Sequence, residues 1–216
     1  LAHKDFPGSP GTVDELAELL AGPPERAAVG MLGCLLTAGG VTVRLTEVEA
    51  YAGVGADPAS HTHRGPTRRN AAMFGPPGHA YVYFTYGMHW CVNVVCRPAG
   101  EASAVLLRAG EVVAGEEIAE SRRPRSSRRD LARGPARLTQ VLAIDGSAYG
   151  TPLLTGDGPI RLAPGERVTR ASIRVGPRVG VTGAADVPWR FWLAGPDGRP
   201  EPTVSAYRPH LPRRRG

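Results

Sequence analysis

At 216 residues the chain is long enough for one well-packed domain and short for two. Its apolar content of 42 % is ordinary for a globular protein, and no apolar run reaches the roughly 18–20 residues that cross a bilayer, so no membrane partner is expected. The net charge of +6 rests on 25 arginines and a single lysine, Lys4, so the surface favours polyanions. GC-rich coding accounts for arginine over lysine but not for the positive balance. No basic segment followed by an apolar run opens the chain, and a cytoplasmic location is expected. Cys34, Cys91 and Cys96 show no paired metal spacing. They read as reduced, buried thiols, with no metal and no cofactor expected.

Residues 1–11, rich in Pro and Gly, read as a flexible arm, residues 12–210 as the single domain and residues 211–216 as a basic tail. The spacing of Val13, Leu16, Leu19 and Leu20 predicts an amphipathic helix over Val13–Ala21, ended by Gly22-Pro23-Pro24. Residues 25–38 read either as a second helix or as helix, turn and strand. Val41–Ala50 alternates as a half-buried strand, with Val41, Val43 and Leu45 on one face. Residues 53–80 have no period and form a long loop, a place where function concentrates. Ala80–Thr85 and His89–Val95 read as a hairpin around Tyr86-Gly87-Met88. Ala102–Ala109 is a further apolar strand. Arg122–Arg137, with seven arginines, reads as a solvated basic loop, and Leu138–Ile144 as a short helix. Short strands are expected at Ile160–Leu162, Ala171–Val175 and Phe191–Leu193. A helix followed by mostly antiparallel strands gives an α+β class in one mixed domain.

The chemistry is concentrated between Glu47 and Asn93, which holds four of the six tyrosines and four of the six histidines. Glu49 shares the parity of Val41, Val43 and Leu45 and is expected on the buried face, where a carboxylate must be paired or functional. Glu47 has the same parity, and a bulge would swap which of the two faces inward. Arg108, at the end of an apolar strand, needs a carboxylate partner, with Glu49 the natural candidate. Tyr51, Tyr81 and Tyr83 could form a stacking pocket for a flat base, a contact contributing roughly 1–3 kcal/mol per base. His61 and His63 sit in the long loop, and either could meet that base. Asn93 is a polar amide within a strand and needs a bonding partner. Tyr86, a large ring on a turn, suits insertion into a gap in stacked bases. Arg68 and Arg69 are candidate phosphate contacts.

These residues resemble a known family. Glu47-Val48-Glu49-Ala50-Tyr51, Arg69-Asn70-Ala71-Ala72-Met73-Phe74, Tyr81-Val82-Tyr83 with Tyr86-Gly87-Met88, and Val105-Leu106-Leu107-Arg108-Ala109 are similar to the alkyladenine (3-methyladenine) DNA glycosylases. Gly134–Gln140 and Arg178-Val179-Gly180-Val181 extend the match, which runs in family order over roughly residues 14–208. The resemblance implies a curved antiparallel sheet with flanking helices and a protruding hairpin that inserts into DNA. It implies a monofunctional enzyme that flips alkylated or deaminated purines out of double-stranded DNA, as a monomer, and removes them hydrolytically. Glu49 would activate the attacking water and Arg108 would help to hold it. Tyr51, His61 and Tyr83 would enclose the base, and Asn93 would screen its edge. Tyr86, with Met88 beside it, would intercalate.

The sequence departs from the family pattern in three places. The spacing from Tyr51 to His61 is one residue longer, which keeps His63 open. His89 stands where a tyrosine is common. Gly110 stands where a larger apolar residue is common, which bears on local DNA contacts. An N-alkylated purine is already a good leaving group, so one base to activate water suffices. Strand cleavage through a Schiff base needs an amine, and Lys4 and the N-terminus both fall in the expected loose arm, so no lyase activity is expected. Two other readings stay open: a basic nucleic-acid-binding protein without catalysis, and an RNA-base hydrolase with the same pocket.

Overall fold

The computed structural model describes residues 8–156, 158–195 and 197–205. Helix α1, Val13–Leu20, starts where Thr12 Oγ1 accepts the Glu15 N–H, and Glu15 reaches back to the Gly11 N–H. Helix α2, Pro24–Met31, opens with proline in its first turn. A turn then leads to strand β1, Leu35–Ala38, so residues 25–38 are helix, turn and strand. Of the arm predicted over residues 1–11, residues 1–7 lie outside the described residues, and Ser9 accepts the Val168 N–H at 2.9 Å. The tail at 211–216 also lies outside them.

The remaining strands are β2 (Val41–Tyr51), β3 (Ala80–Thr85), β4 (His89–Cys96), β5 (Ser103–Ala114), β6 (Ile160–Ala163), β7 (Ile173–Gly176) and β8 (Arg190–Leu193). They form one antiparallel sheet in the order β3-β4-β5-β2-β1-β6, with β8 paired to β2 and β7 to β8. The fold is therefore mixed α+β, with a curled sheet covered by helices. Strand β5 runs five residues beyond the predicted end at Ala109, because β2 supplies a partner as far as Thr42.

Strand β2 decides where the site lies. Its N-terminal part pairs with β1 through Val41–Arg44, and its C-terminal part pairs with β8 through Glu47–Glu49. Between them the register against β5 slips at Leu45/Glu47 and again at Glu47/Val48. These bulges reverse the parity of the strand. The core takes Val41, Val43 and Leu45 before the slip, and Val48 and Ala50 after it. Glu47 and Glu49 consequently turn away from the helices. Glu49 is buried as expected, but on the face opposite Val41, Val43 and Leu45.

The bulge also explains Gly110, which pairs with Leu45. A Cβ there would lie 2.3 Å from Val43 Cγ1 and 2.4 Å from the Arg44 carbonyl oxygen. Glycine at this position answers a close approach of two strands within the sheet.

The predicted basic loop 122–137 is a folded connection. Helix α3, Glu116–Arg122, contributes its last residue, and a single turn of tight helix covers Arg128–Asp130. Helix α4, Pro135–Val141, starts three residues before the expected Leu138, with Pro135 in its first turn. Arg122 donates to the Val141 and Gly39 carbonyls, Arg133 to the Val204 carbonyl, and Arg128 pairs with Glu116. Arg122 and Arg133 thus tie strand and helix ends together, while Arg125, Arg128, Arg129 and Arg137 are exposed, as expected of a solvated basic stretch.

Candidate active site

The face of the sheet turned from the main core carries a row of side chains in register. Glu49 on β2 pairs with Leu106 on β5, Leu106 with Asn93 on β4, and Asn93 with Tyr81 on β3. Two residues along lie Arg108, Cys91 and Tyr83, because side chains on one face of a strand recur with period two. This face floors a cleft of about 510 Å³, within the usual size range for a small-molecule site. Pro58–His61 and Val179–Thr182 form further parts of its lining, with Gly134–Arg137 from the start of α4.

Behind its inner end, two buried carboxylates meet the guanidinium of Arg108, which lines the cleft. Arg108 Nε donates to Glu47 Oε1 at 2.8 Å and Nη1 to Glu49 Oε2 at 3.3 Å. Glu47 receives three further donors: Arg190 Nε at 2.7 Å, the Ser205 N–H at 2.6 Å and the Ser205 hydroxyl at 2.8 Å. Burial disfavours its charge, but Arg108, Arg190 and the serine bonds outweigh that and hold its pKa below the ordinary value. Three of these donors converge on Oε1, and the Ser205 N–H meets Oε2. Glu49 receives one donor fewer: besides Arg108, the Tyr51 hydroxyl at 2.8 Å on Oε2 and the Val179 N–H at 2.7 Å on Oε1. Glu49 itself is fully buried, while Tyr51, Arg108 and Val179, which hold it, line the cleft. Burial works against the charge of Arg108, and Glu49 and Glu47 more than restore it.

Aromatic rings make one wall. His61 lies edge-on to Tyr83 at 4.5 Å, and its Nδ1 is 2.8 Å from the Tyr81 hydroxyl. Burial, then the charge of Arg69, pushes the His61 pKa down, and burial pushes Tyr81 up to about 12. The direction of this hydrogen bond follows the imidazole tautomer, since a phenol hydroxyl can donate or accept. His63, by contrast, faces a neighbouring depression with Arg64 and Thr67. Burial first, and the Glu49 charge and hydroxyl bond next, raise the Tyr51 pKa, so that hydroxyl stays a donor. Asn93 donates to the Tyr81 carbonyl at 3.0 Å, satisfying its amide within the sheet.

At the mouth, β3 and β4 pair as far as Thr85 and His89. Tyr86 and Gly87 both have positive φ, 52° and 68°, and the Met88 N–H returns to the Thr85 carbonyl. A tyrosine with positive φ is strained. Tyr86 is 83 % exposed and lines the cleft rim; Met88 is 66 % exposed beside it. Arg68 is exposed and not part of the cleft lining. Arg69 donates to the Phe84 carbonyl at 3.0 Å and lies over the Tyr83 ring, so it braces the aromatic wall. Sequence reasoning missed Arg190 and Ser205 as partners of Glu47. Their signal was absent because both come from the C-terminal quarter of the chain, Arg190 on β8 beside β2 and Ser205 from the irregular segment that follows. Among the described residues no cluster of His, Cys, Asp and Glu has metal-binding geometry, and no helix is long and apolar enough to cross a membrane.

Known proteins resemble this chain along most of its length. The profile of the family described as "Methylpurine-DNA glycosylase" matches residues 18–197. A protein of Frankia casuarinae named "Putative 3-methyladenine DNA glycosylase" is 52 % identical over 202 residues, covering 89 % of this chain and 91 % of that protein. A Streptomyces avermitilis protein of the same name is 50 % identical over 206 residues, covering 92 % and 93 %. One from Nocardia farcinica is 51 % identical over 201 residues, covering 91 % and 92 %. With its matched segment spanning the helices, the sheet and the cleft, the chain belongs to the methylpurine-DNA glycosylase family.

Proposed function

We propose that this protein is a monofunctional DNA glycosylase acting as a monomer on double-stranded DNA in the cytoplasm. Its substrates are alkylated and deaminated purines, flipped from the stack before hydrolysis. The flipped base enters the cleft between Tyr51, His61 and Tyr83, with Asn93 at its edge, while Tyr86 fills the vacated space and Met88 abuts it. Glu49 activates a water that attacks C1′ of the sugar, and Arg108 helps to hold that water. The water's proton passes to the carboxylate as the purine leaves with the electrons of the glycosidic bond. Charged N-alkylpurines leave readily, and for neutral purines His61, in the tautomer that accepts from Tyr81 at Nδ1, turns its Nε2–H to the departing ring. With water as nucleophile and no lysine besides Lys4, the abasic strand stays intact.

The observation that supports Glu49 over Glu47 is where their partners sit. Tyr51, Arg108 and Val179, which hold Glu49, all line the cleft, whereas Arg190 and Ser205, which hold Glu47 with Arg108, do not. The test is single-turnover base release from duplex oligonucleotides carrying hypoxanthine, ethenoadenine or 7-methylguanine, with wild type and Glu49→Gln side by side. Release by wild type alone is expected, with strand breaks only after alkali and a loss of about 10²–10⁴-fold in the variant. Equal release by both proteins removes Glu49 from the reaction, and a borohydride-trapped DNA adduct overturns the monofunctional reading.

A further inference from the structure

Outside the cleft lies a buried ion pair that the reaction as described does not use. Arg178 Nη1 and Nη2 grip the two oxygens of Asp57 at 2.6 and 2.8 Å, and both side chains are at most 1 % exposed. Neither residue lines the cleft, but each immediately precedes a stretch that does: Pro58–His61 after Asp57, and Val179–Thr182 after Arg178. The pair therefore fastens two walls of the cleft to each other behind its surface.

It also fastens both walls to the strand that bears Glu49. Arg178 Nη1 donates to the Ala50 carbonyl at 3.0 Å, and its guanidinium lies 4.6 Å over the Tyr51 ring. Asp57 accepts the Ala52 N–H at 3.2 Å and the Ala59 N–H at 3.0 Å. The residue after Arg178 supplies the Val179 N–H that holds Glu49 Oε1 at 2.7 Å. Of the three groups on Glu49, Val179 arrives from a segment without regular secondary structure around it. The Asp57–Arg178 fork determines where that segment sits.

A buried ion pair is a weak source of stability, because desolvation offsets its attraction. What a bidentate fork supplies is direction: planar guanidinium against planar carboxylate permits one orientation. We propose that Asp57 and Arg178 are positioning residues for base excision, acting through Val179 and Tyr51 on the orientation of Glu49. The inference rests on Glu49 being the base. Neither residue touches the flipped purine, so their effect falls on the excision step and not on lesion capture.

The test measures the maximal single-turnover excision rate and the affinity for a hypoxanthine duplex separately. The variants are Asp57→Asn, Arg178→Lys and their double, with Glu49→Gln alongside. Rates are expressed per lesion-competent molecule, counted by titration with lesion DNA, so any unfolded fraction is removed. Asp57→Asn keeps the shape and loses the charge; Arg178→Lys keeps the charge and loses the fork. Each is expected to lower the maximal rate about tenfold to a hundredfold, with affinity within about twofold of wild type. The double is expected to be no slower than the slower single, since the pair acts as a unit. Wild-type maximal rates in both single variants, with Glu49→Gln inactive, overturn the positioning role alone. Loss of affinity in step with rate also overturns it, and an active Glu49→Gln overturns the Glu49 reading and this inference together.

Discussion

The Tyr51 hydroxyl donates a 2.8 Å hydrogen bond to Glu49 Oε2, the residue two positions earlier on the same strand. Period two places both on one face, so a single strand provides the carboxylate, a donor that orients it and a ring that lines the cleft. Removing the hydroxyl alone separates these roles. Tyr51→Phe keeps the ring but deprives a buried carboxylate of one of its three donors. A bond to a charged group is worth about 1.5–3 kcal/mol, so single-turnover excision is expected to fall about tenfold to a hundredfold. Lesion affinity, measured by titration of labelled duplex, is expected to persist. Parallel losses of rate and affinity would mean that the hydroxyl contacts the base.

Glu47 behaves as a structural acid. Glu47→Gln leaves Arg108 and Arg190 facing an uncharged amide in a buried site, and breaking buried pairs of this kind costs about 3–5 kcal/mol. Equilibrium urea unfolding is expected to show that loss, while Glu49→Gln, which frees only one longer ion pair at 3.3 Å, costs less. Equal costs would contradict the division of roles between the two acids.

The same residue gives a pH dependence whose sign is fixed. The pKa of Glu47 is lowered from its ordinary 4.5 on folding, so the unfolded chain takes up the proton more readily. Its contribution is complete above the ordinary value and is lost as pH falls through the folded-state pKa. Urea midpoints for wild type are therefore expected to drop on acidification below about pH 5, and to drop less for Glu47→Gln. A wild-type midpoint constant down to pH 4 would refute the link.

Tyr86 stores strain at the hairpin turn, where its φ is 52° and its ring is 83 % exposed. Tyr86→Gly removes both strain and ring. Thermal unfolding is expected at the wild-type temperature or slightly above, with a left-handed position relieved by roughly 1 kcal/mol. Lesion capture is expected to weaken markedly under the same conditions. Unchanged affinity and excision in a folded variant would exclude the wedge.

Much of this site was legible because its residues are close in sequence. Tyr81, Tyr83, Asn93 and Arg108 fall on apolar runs that read as strands, and Tyr86-Gly87 marks its own turn. Period also explains the failure at β2. Alternation assigns faces only while the register holds, and the slips beside Glu47 leave no trace in residue type. Arg178, Arg190 and Ser205 were opaque for another reason. They come from short pieces between glycines and prolines, where neither period nor spacing says which distant carboxylate they meet. The arginines of 122–137 were legible only in part, since charge alone does not tell the exposed Arg125, Arg128, Arg129 and Arg137 from Arg122 and Arg133, which bond backbone carbonyls.

The slips in β2 have one more consequence. Substitution of Glu47, Glu49 or Tyr51 changes a group while leaving its direction intact, so single-base changes in the gene test chemistry one side chain at a time. Leu45 and Val48 are three residues apart, and only the slip past Thr46, which has no partner on β5, lets both face the helices while the two acids face the cleft. Deleting that extra residue would straighten the strand without turning the acids, so what the slip sets is the bend of the sheet beneath the site.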